Sequence, residues 1–97
     1  MARDPLADIE IKSALAGLPG WEHAGDSLRK TFQFGSFREA ISFLIRVAFE
    51  AEQLNHHPEI ENVYSRVTLT LRTHDAGNKV TRADISLAAA IESFSWV

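Results

Sequence analysis

Ninety-seven residues, 45% of them hydrophobic and 24% charged, make one globular domain over residues 1–97, because halves of that length would be too small to bury a core. The chain has no cysteine, which excludes a disulfide framework, a thiol nucleophile and a cysteine-built metal knot, and fits the cytoplasm. A formal charge of −3, with the basic residues scattered, argues against nucleic acid as a partner. No segment is apolar enough to span a bilayer, and the start Met1-Ala2-Arg3-Asp4-Pro5 lacks the apolar stretch of a secretory signal.

Residues 8 to 16 read as a short helix, apolar at Ile11, Ala14 and Leu15, which Pro19-Gly20 closes off. Trp21 opens a strand, Gly25-Asp26 signals a turn, and Ser27 to Phe34 alternates as the second arm of a hairpin. Leu28, Lys30, Phe32 and Phe34 fall on one side of that arm. Ser36 followed by Glu39 forms a capping box for a long helix. Phe37, Ala40, Ile41, Leu44, Ala48 and Ala51 then recur at three- and four-residue steps as its core stripe, running to Leu54. Phe43, Val47 and Phe49 lie partly off that stripe, so the helix should bury a second face, against a sheet edge or another subunit. Pro58 disfavours helical geometry at His57 and ends the helix there.

Ile60 to Tyr64 and Arg66 to His74 read as two further strands, the second with Val67, Leu69 and Leu71 on one face and Arg66, Thr68, Thr70, Arg72 and His74 on the other. After the loop Ala76-Gly77-Asn78, Thr81 caps a last helix with Asp84 in its first turn and Ile85, Ala88, Ala89, Ile91 and Phe94 on its apolar side. Short turns demand antiparallel pairing, and a single apolar row per strand demands one covered face. The expected fold is therefore α+β: a four-stranded antiparallel sheet with three helices on one face, in the order α-β-β-α-β-β-α.

Trp21, Phe32, Phe34 and Phe37 could pass for a base-stacking platform, but their spacing suits a hairpin and helix core, and the acidic balance gives no electrostatic support. The residues with chemistry to offer are Glu52, His56, His57 and His74. Glu52 lies four residues before His56, on the same helical face. Three plain readings compete. Histidines at a helix C-terminus complement its dipole without further function. The same four side chains offer ligands for zinc, although adjacent histidines diverge. Imidazoles also move protons near neutrality. The run Glu52-Gln53-Leu54-Asn55-His56-His57 is not a zinc-protease motif, and no phosphate-cradling or dinucleotide motif is present.

Glu52, His56-His57-Pro58, Tyr64, His74 and Asp84 stand at the spacings of the pterin-4a-carbinolamine dehydratase signature, and Gly20-Trp21, Leu28, Phe32, Phe34 and Phe37 fit the family pattern upstream. The chain resembles that family over roughly residues 13 to 94, without a gap through the motif. The resemblance implies a lyase that removes water from a 4a-hydroxytetrahydropterin to give quinonoid dihydropterin, in tetrahydropterin recycling, with no metal and no redox cofactor. It implies His56, His57 and His74 as the catalytic set, with His56 and His74 flanking the reacting carbon as acid and base and His57 orienting the pterin. Asn55 and His57 would bind substrate, Glu52 would either fix His56 or bind the polar edge of the pterin, and Tyr64 and Asp84 serve structure. It further implies a homo-oligomer (dimer or tetramer) and a functional link to an aromatic amino-acid hydroxylase. The alternative is a non-catalytic dimerisation cofactor or adaptor of the same fold. The chain departs from the pattern at Asn55, where animal members carry Asp, at Ile60, which replaces an aromatic, and in a loop one residue longer between His74 and Asp84.

Overall fold

The computed structural model describes residues 3–97. Helix α1 (Asp8–Leu15) leads into a hairpin of β1 (Glu22–Ala24) and β2 (Ser27–Gln33), followed by the long helix α2 (Phe37–Leu54), a second hairpin of β3 (Glu59–Val63) and β4 (Arg66–Leu71), and helix α3 (Arg82–Phe94). The four strands form an antiparallel sheet in the order β1-β2-β4-β3. The expected α+β order is therefore the observed one. Gly25, at φ 62°, opens the turn of the first hairpin, and Tyr64, at φ 54°, that of the second.

Alternation decides which sheet face is covered. Leu28 and Phe32 of β2 and Val67, Leu69 and Leu71 of β4 point inward and are buried beneath the helices. Arg29, Thr31 and Gln33 point the opposite way. On α2 the buried row is Ala40, Phe43, Val47 and Ala51, whereas Phe37 and Ala48 are exposed. The expected stripe is thus rotated, because two rows on this helix satisfy the three-and-four spacing. The row carrying Phe43 wins by burying more apolar area. The Phe43 ring sits 4.8 Å from that of Phe32 and 4.9 Å from that of Phe34. Trp21, Phe32 and Phe34 are likewise interior, so they are core and offer no stacking surface, while Phe37 lies outside it.

Other boundaries shift for local reasons. Trp21 precedes β1 and is buried beside it. In α3 the buried apolar positions are Leu87, Ala88 and Ile91, and Ala89 is exposed. Ser36 Oγ accepts from the Glu39 N–H at 3.1 Å, but the Glu39 carboxylate turns to Trp96 Nε1 and the Gly35 N–H, so half of the expected capping box forms. Strand β4 ends at Leu71, three residues before His74. There the chain closes on itself: the Thr73 carbonyl accepts from the N–H groups of Ala76 and Asn78, and the Thr73 N–H donates to the Lys79 carbonyl. His74 therefore opens a short 3-10 turn, His74–Ala76, instead of closing a strand. Among the described residues no helix is long and apolar enough to cross a membrane.

Candidate active site

The end of α2 sets the geometry of the histidine pair. Asn55 adopts the left-handed conformation (φ 52°, ψ 45°), and the His56 N–H reaches back to the Ala51 carbonyl at 3.0 Å, a Schellman closure. Asparagine tolerates that conformation better than most side chains, which gives Asn55 a structural reason to be there. The closure breaks helical register, so the two rings part company. His56 turns inward, with 5% of its side chain exposed, and His57 turns outward with 63% exposed.

For the same reason Glu52 does not meet His56. Its Oε1 lies 3.0 Å from His57 Nε2, correcting the pairing that four-residue helical spacing suggests. A carboxylate only accepts, so His57 donates from Nε2, and among the described residues Nδ1 meets no partner.

His56 is enclosed by a polar network. Its Nε2 lies 2.6 Å from Oδ1 of Asp84, whose side chain is fully buried. Asp84 Oδ2 accepts from Thr73 Oγ1 and from the Thr81 N–H, each at 2.9 Å. Since the Thr73 hydroxyl donates to the carboxylate, it accepts from the Thr81 hydroxyl at 2.6 Å, and Thr81 Oγ1 in turn accepts from the Ala83 N–H at 3.2 Å. Hence Thr81 and Asp84 cap α3 as expected, and Asp84 also ties three segments together: the tail of α2, the residue before His74, and the start of α3. Every buried polar atom in the chain of contacts is satisfied.

On its other side His56 meets Arg3. The guanidinium Nη1 lies 3.1 Å from His56 Nδ1, Nη2 donates to the Asn55 carbonyl at 2.9 Å, and Nη1 is 4.0 Å from Asp75. Arg3, Leu54, His56, Arg82, Ala83 and Ser86 line a depression of about 230 Å³, and neither His57 nor His74 belongs to its wall. Phe49, Glu50, Glu52 and Gln53 line a broader hollow of about 660 Å³ along the outer flank of α2, on the side where Glu52 meets His57.

His74 is exposed in its turn, and its Nδ1 donates to Asn78 Oδ1 at 3.0 Å, while among the described residues Nε2 meets no partner. Tyr64 is exposed at the tip of the second hairpin. Among the described residues no three histidine or acidic side chains group as a metal ion would require. Sequence reasoning singled out the histidines but passed over Arg3 and Thr73, whose roles depend on long-range contacts that no local pattern signals.

Comparison with known proteins gives this arrangement a context. The family model described as pterin 4 alpha carbinolamine dehydratase matches residues 4–94. A relative from Opitutus terrae, named "Putative pterin-4-alpha-carbinolamine dehydratase", is 58% identical over 92 residues, which is 95% of either chain. A crystal structure of a transcriptional coactivator/pterin dehydratase from Brucella melitensis is similar at a TM-score of 0.88 and 37% identity, covering 93% of this chain and 97% of that one. A pterin dehydratase-like protein described as a RuBisCO assembly factor in the alpha-carboxysome matches at a TM-score of 0.60 and 27% identity, covering 75% of this chain and 83% of that one. With sequence match and fold in agreement, this chain belongs to the pterin 4a-carbinolamine dehydratase family.

Proposed function

We propose that the chain is a hydro-lyase that converts a 4a-hydroxytetrahydropterin to quinonoid dihydropterin and water. The C4a–O bond breaks as an acid protonates the departing hydroxyl, and a base takes the proton from a ring nitrogen. One proton is given and one is recovered, so the protein ends each cycle unchanged. Imidazole serves both steps near neutral pH.

The observation that carries this reading is the division of labour among the three histidines. His57 and His74 are exposed, and among the described residues each commits one ring nitrogen to a side-chain partner and has none at the other. His56 and His74 are our acid–base pair, and His57, which Glu52 orients, binds the pterin. His56 is turned inward, and its contact with the buried Asp84 carboxylate fixes the orientation of the ring. The enzyme acts in the cytosol as a homo-oligomer, following an aromatic amino-acid hydroxylase that supplies the carbinolamine.

A spectrophotometric assay of carbinolamine breakdown tests this. Addition of the protein accelerates the decay, and His56→Ala or His74→Ala each slows turnover by about 10²–10⁴-fold. Unchanged turnover in both variants removes the assignment.

A second reading has an observation of its own. Phe37, Ile45 and Phe49 form an exposed apolar stripe on α2, and a similar structure belongs to an assembly factor. An adaptor of the same fold would form a stable hetero-assembly through that stripe and leave carbinolamine decay unaccelerated.

A further inference from the structure

We infer that Arg38 of one copy of this chain completes the pterin site of another, by pairing with the carboxylate of Glu52 across an antiparallel contact between two α2 helices. This deepens the proposed function, on which it rests for its catalytic meaning but not for its association test.

The outer face of α2 carries, in chain order, Arg38, Ser42, Ile45, Phe49 and Glu52, all of them exposed. Opposite charges stand at its two ends, and the large apolar side chains lie between them. Arg38 and Glu52 are fourteen residues apart, close to four whole turns, so they share this face but lie about 21 Å from each other along the axis. They cannot meet within one chain. Among the described residues Arg38 has no hydrogen-bond or ion-pair partner, and Glu52 uses only Oε1, 3.0 Å from His57 Nε2. Each copy therefore offers a neighbour one cation and one carboxylate oxygen.

A second copy engages both at once when it packs antiparallel. Ile45 lies midway between Arg38 and Glu52, seven residues from each. A twofold axis through Ile45 sets that residue against its own copy and Phe49 against Ile41 of the partner subunit. The same axis sets Arg38 against Glu52 of the partner subunit, twice by symmetry. Parallel packing in register opposes arginine with arginine and glutamate with glutamate. Apolar area thus drives the contact, and charge selects its direction. The hollow of about 660 Å³ beside Phe49, Glu50, Glu52 and Gln53 receives the start of the partner's helix. There the guanidinium takes Glu52 Oε2 and leaves Oε1 to His57, so the ring that binds the pterin is held by a carboxylate that the neighbouring copy holds in turn. Arg38 is a positioning residue, since it acts through Glu52 and touches no reacting atom. An ion pair at such a rim adds little to stability, whereas like charges opposed there cost far more.

The experiment is a charge exchange on the full chain, read by sedimentation velocity. Arg38→Glu puts an acid in the first turn of α2 and Glu52→Arg puts a base in its last turn. Both suit the helix dipole, and circular dichroism verifies that both variants fold. Each alone weakens self-association by about tenfold or more, because it opposes like charges twice. An equimolar mixture of the two regains wild-type assembly, since each mixed contact again sets arginine against glutamate, and the double variant regains it as well. A monomeric wild type overturns the inference, as does a reversal without effect or a mixture that fails to regain assembly. In the carbinolamine assay, at protein concentrations where the chain stays assembled, Arg38→Ala raises KM by about 3- to 5-fold, the worth of an exposed ion pair, with a smaller change in kcat. Arg38→Lys restores KM, and an unchanged KM in Arg38→Ala overturns the positioning role. A chain that assembles with this charge pattern but leaves carbinolamine decay unaccelerated sinks the proposed function and leaves the pairing standing.

Discussion

His56 and Asp84, 28 residues apart in sequence, meet through a 2.6 Å hydrogen bond that is almost entirely out of solvent. The adjacent His57 points outward to Glu52. One left-handed residue, Asn55, separates these neighbours into an interior and an exterior role.

That division predicts opposite consequences for two neighbouring substitutions. His56→Ala removes a donor from a buried carboxylate and leaves a void, so unfolding free energy should fall by about 2 kcal/mol or more. His57→Ala removes an exposed ring and should change it by no more than about 0.5 kcal/mol. Urea denaturation of both variants checks this, and equal losses would refute the inward and outward assignment.

Asp84 holds more than His56. Asp84→Ala strands three donors at once, the His56 and Thr73 side chains and the Thr81 N–H. The expected loss is about 3 kcal/mol or more, given about 1–3 kcal/mol for each buried group left unpaired and incomplete additivity. Thr73→Val removes one donor and leaves the other two in place, so its cost should be visibly smaller. A Thr73→Val variant as unstable as Asp84→Ala would mean that the carboxylate is not the hub.

The fold was legible in the sequence because alternation, helical spacing and turn residues each carry a local signal. Leu28, Phe32, Val67, Leu69 and Leu71 announce the inward face of the sheet, and Thr81 with Asp84 announces the start of α3. The face of α2 was harder to read, since rows through Phe37 and through Phe43 both keep helical spacing and only contact with Phe32 and Phe34 separates them. At the site, the histidines stand out in the chain, but their orientations do not. Helical spacing pairs Glu52 with His56 until Asn55 breaks register, and strand alternation runs to His74 until the hydrogen bonds of Thr73 close a turn. Arg3 could not be found from local pattern, because its partners lie more than fifty residues away.

A second buried charge cluster makes a test independent of the site. Glu92 Oε2 accepts from Lys30 Nζ at 2.7 Å and from Trp21 Nε1 at 2.9 Å, with the Lys30 ammonium also donating to the Pro19 carbonyl. Both charged side chains are largely buried, at 11% and 18% exposed. Glu92→Ala leaves the ammonium with one partner and the indole N–H with none, and should cost about 2–4 kcal/mol. Thermal unfolding of Glu92→Ala and Glu92→Gln checks this. Glu92→Gln keeps an acceptor and should retain part of the loss.

The outer face of α2 predicts an assembly state. Phe37, Ile45 and Phe49 are exposed at four- and eight-residue steps, with Phe49 at 71%. An apolar stripe of this kind is better explained by a covering partner than by solvent. Sedimentation velocity should show the wild type as an oligomer of this chain. Ile45→Glu combined with Phe49→Glu should give a folded monomer, because neither side chain belongs to the core. A wild type that sediments as a monomer at micromolar concentration would leave the stripe to a different partner.

Glu52 offers the finest test of the proposed chemistry, since it touches His57 and contributes nothing to the buried network. Both side chains are mostly exposed, so the 3.0 Å contact orients the ring more than it stabilises the fold. Glu52→Gln can still accept a hydrogen bond through its amide oxygen, but without charge, and its amide must compete among rotamers. Turnover should fall by about 10-fold, the scale of losing a supporting rather than a proton-transferring group. Glu52→Ala should fall further, yet remain above His57→Ala, because the imidazole is still present but no longer held. Melting temperature should stay at the wild-type value in both. Were Glu52→Ala to be as slow as His57→Ala, the carboxylate would itself be binding the pterin, and the contact to substrate would have to be drawn with Glu52 in it.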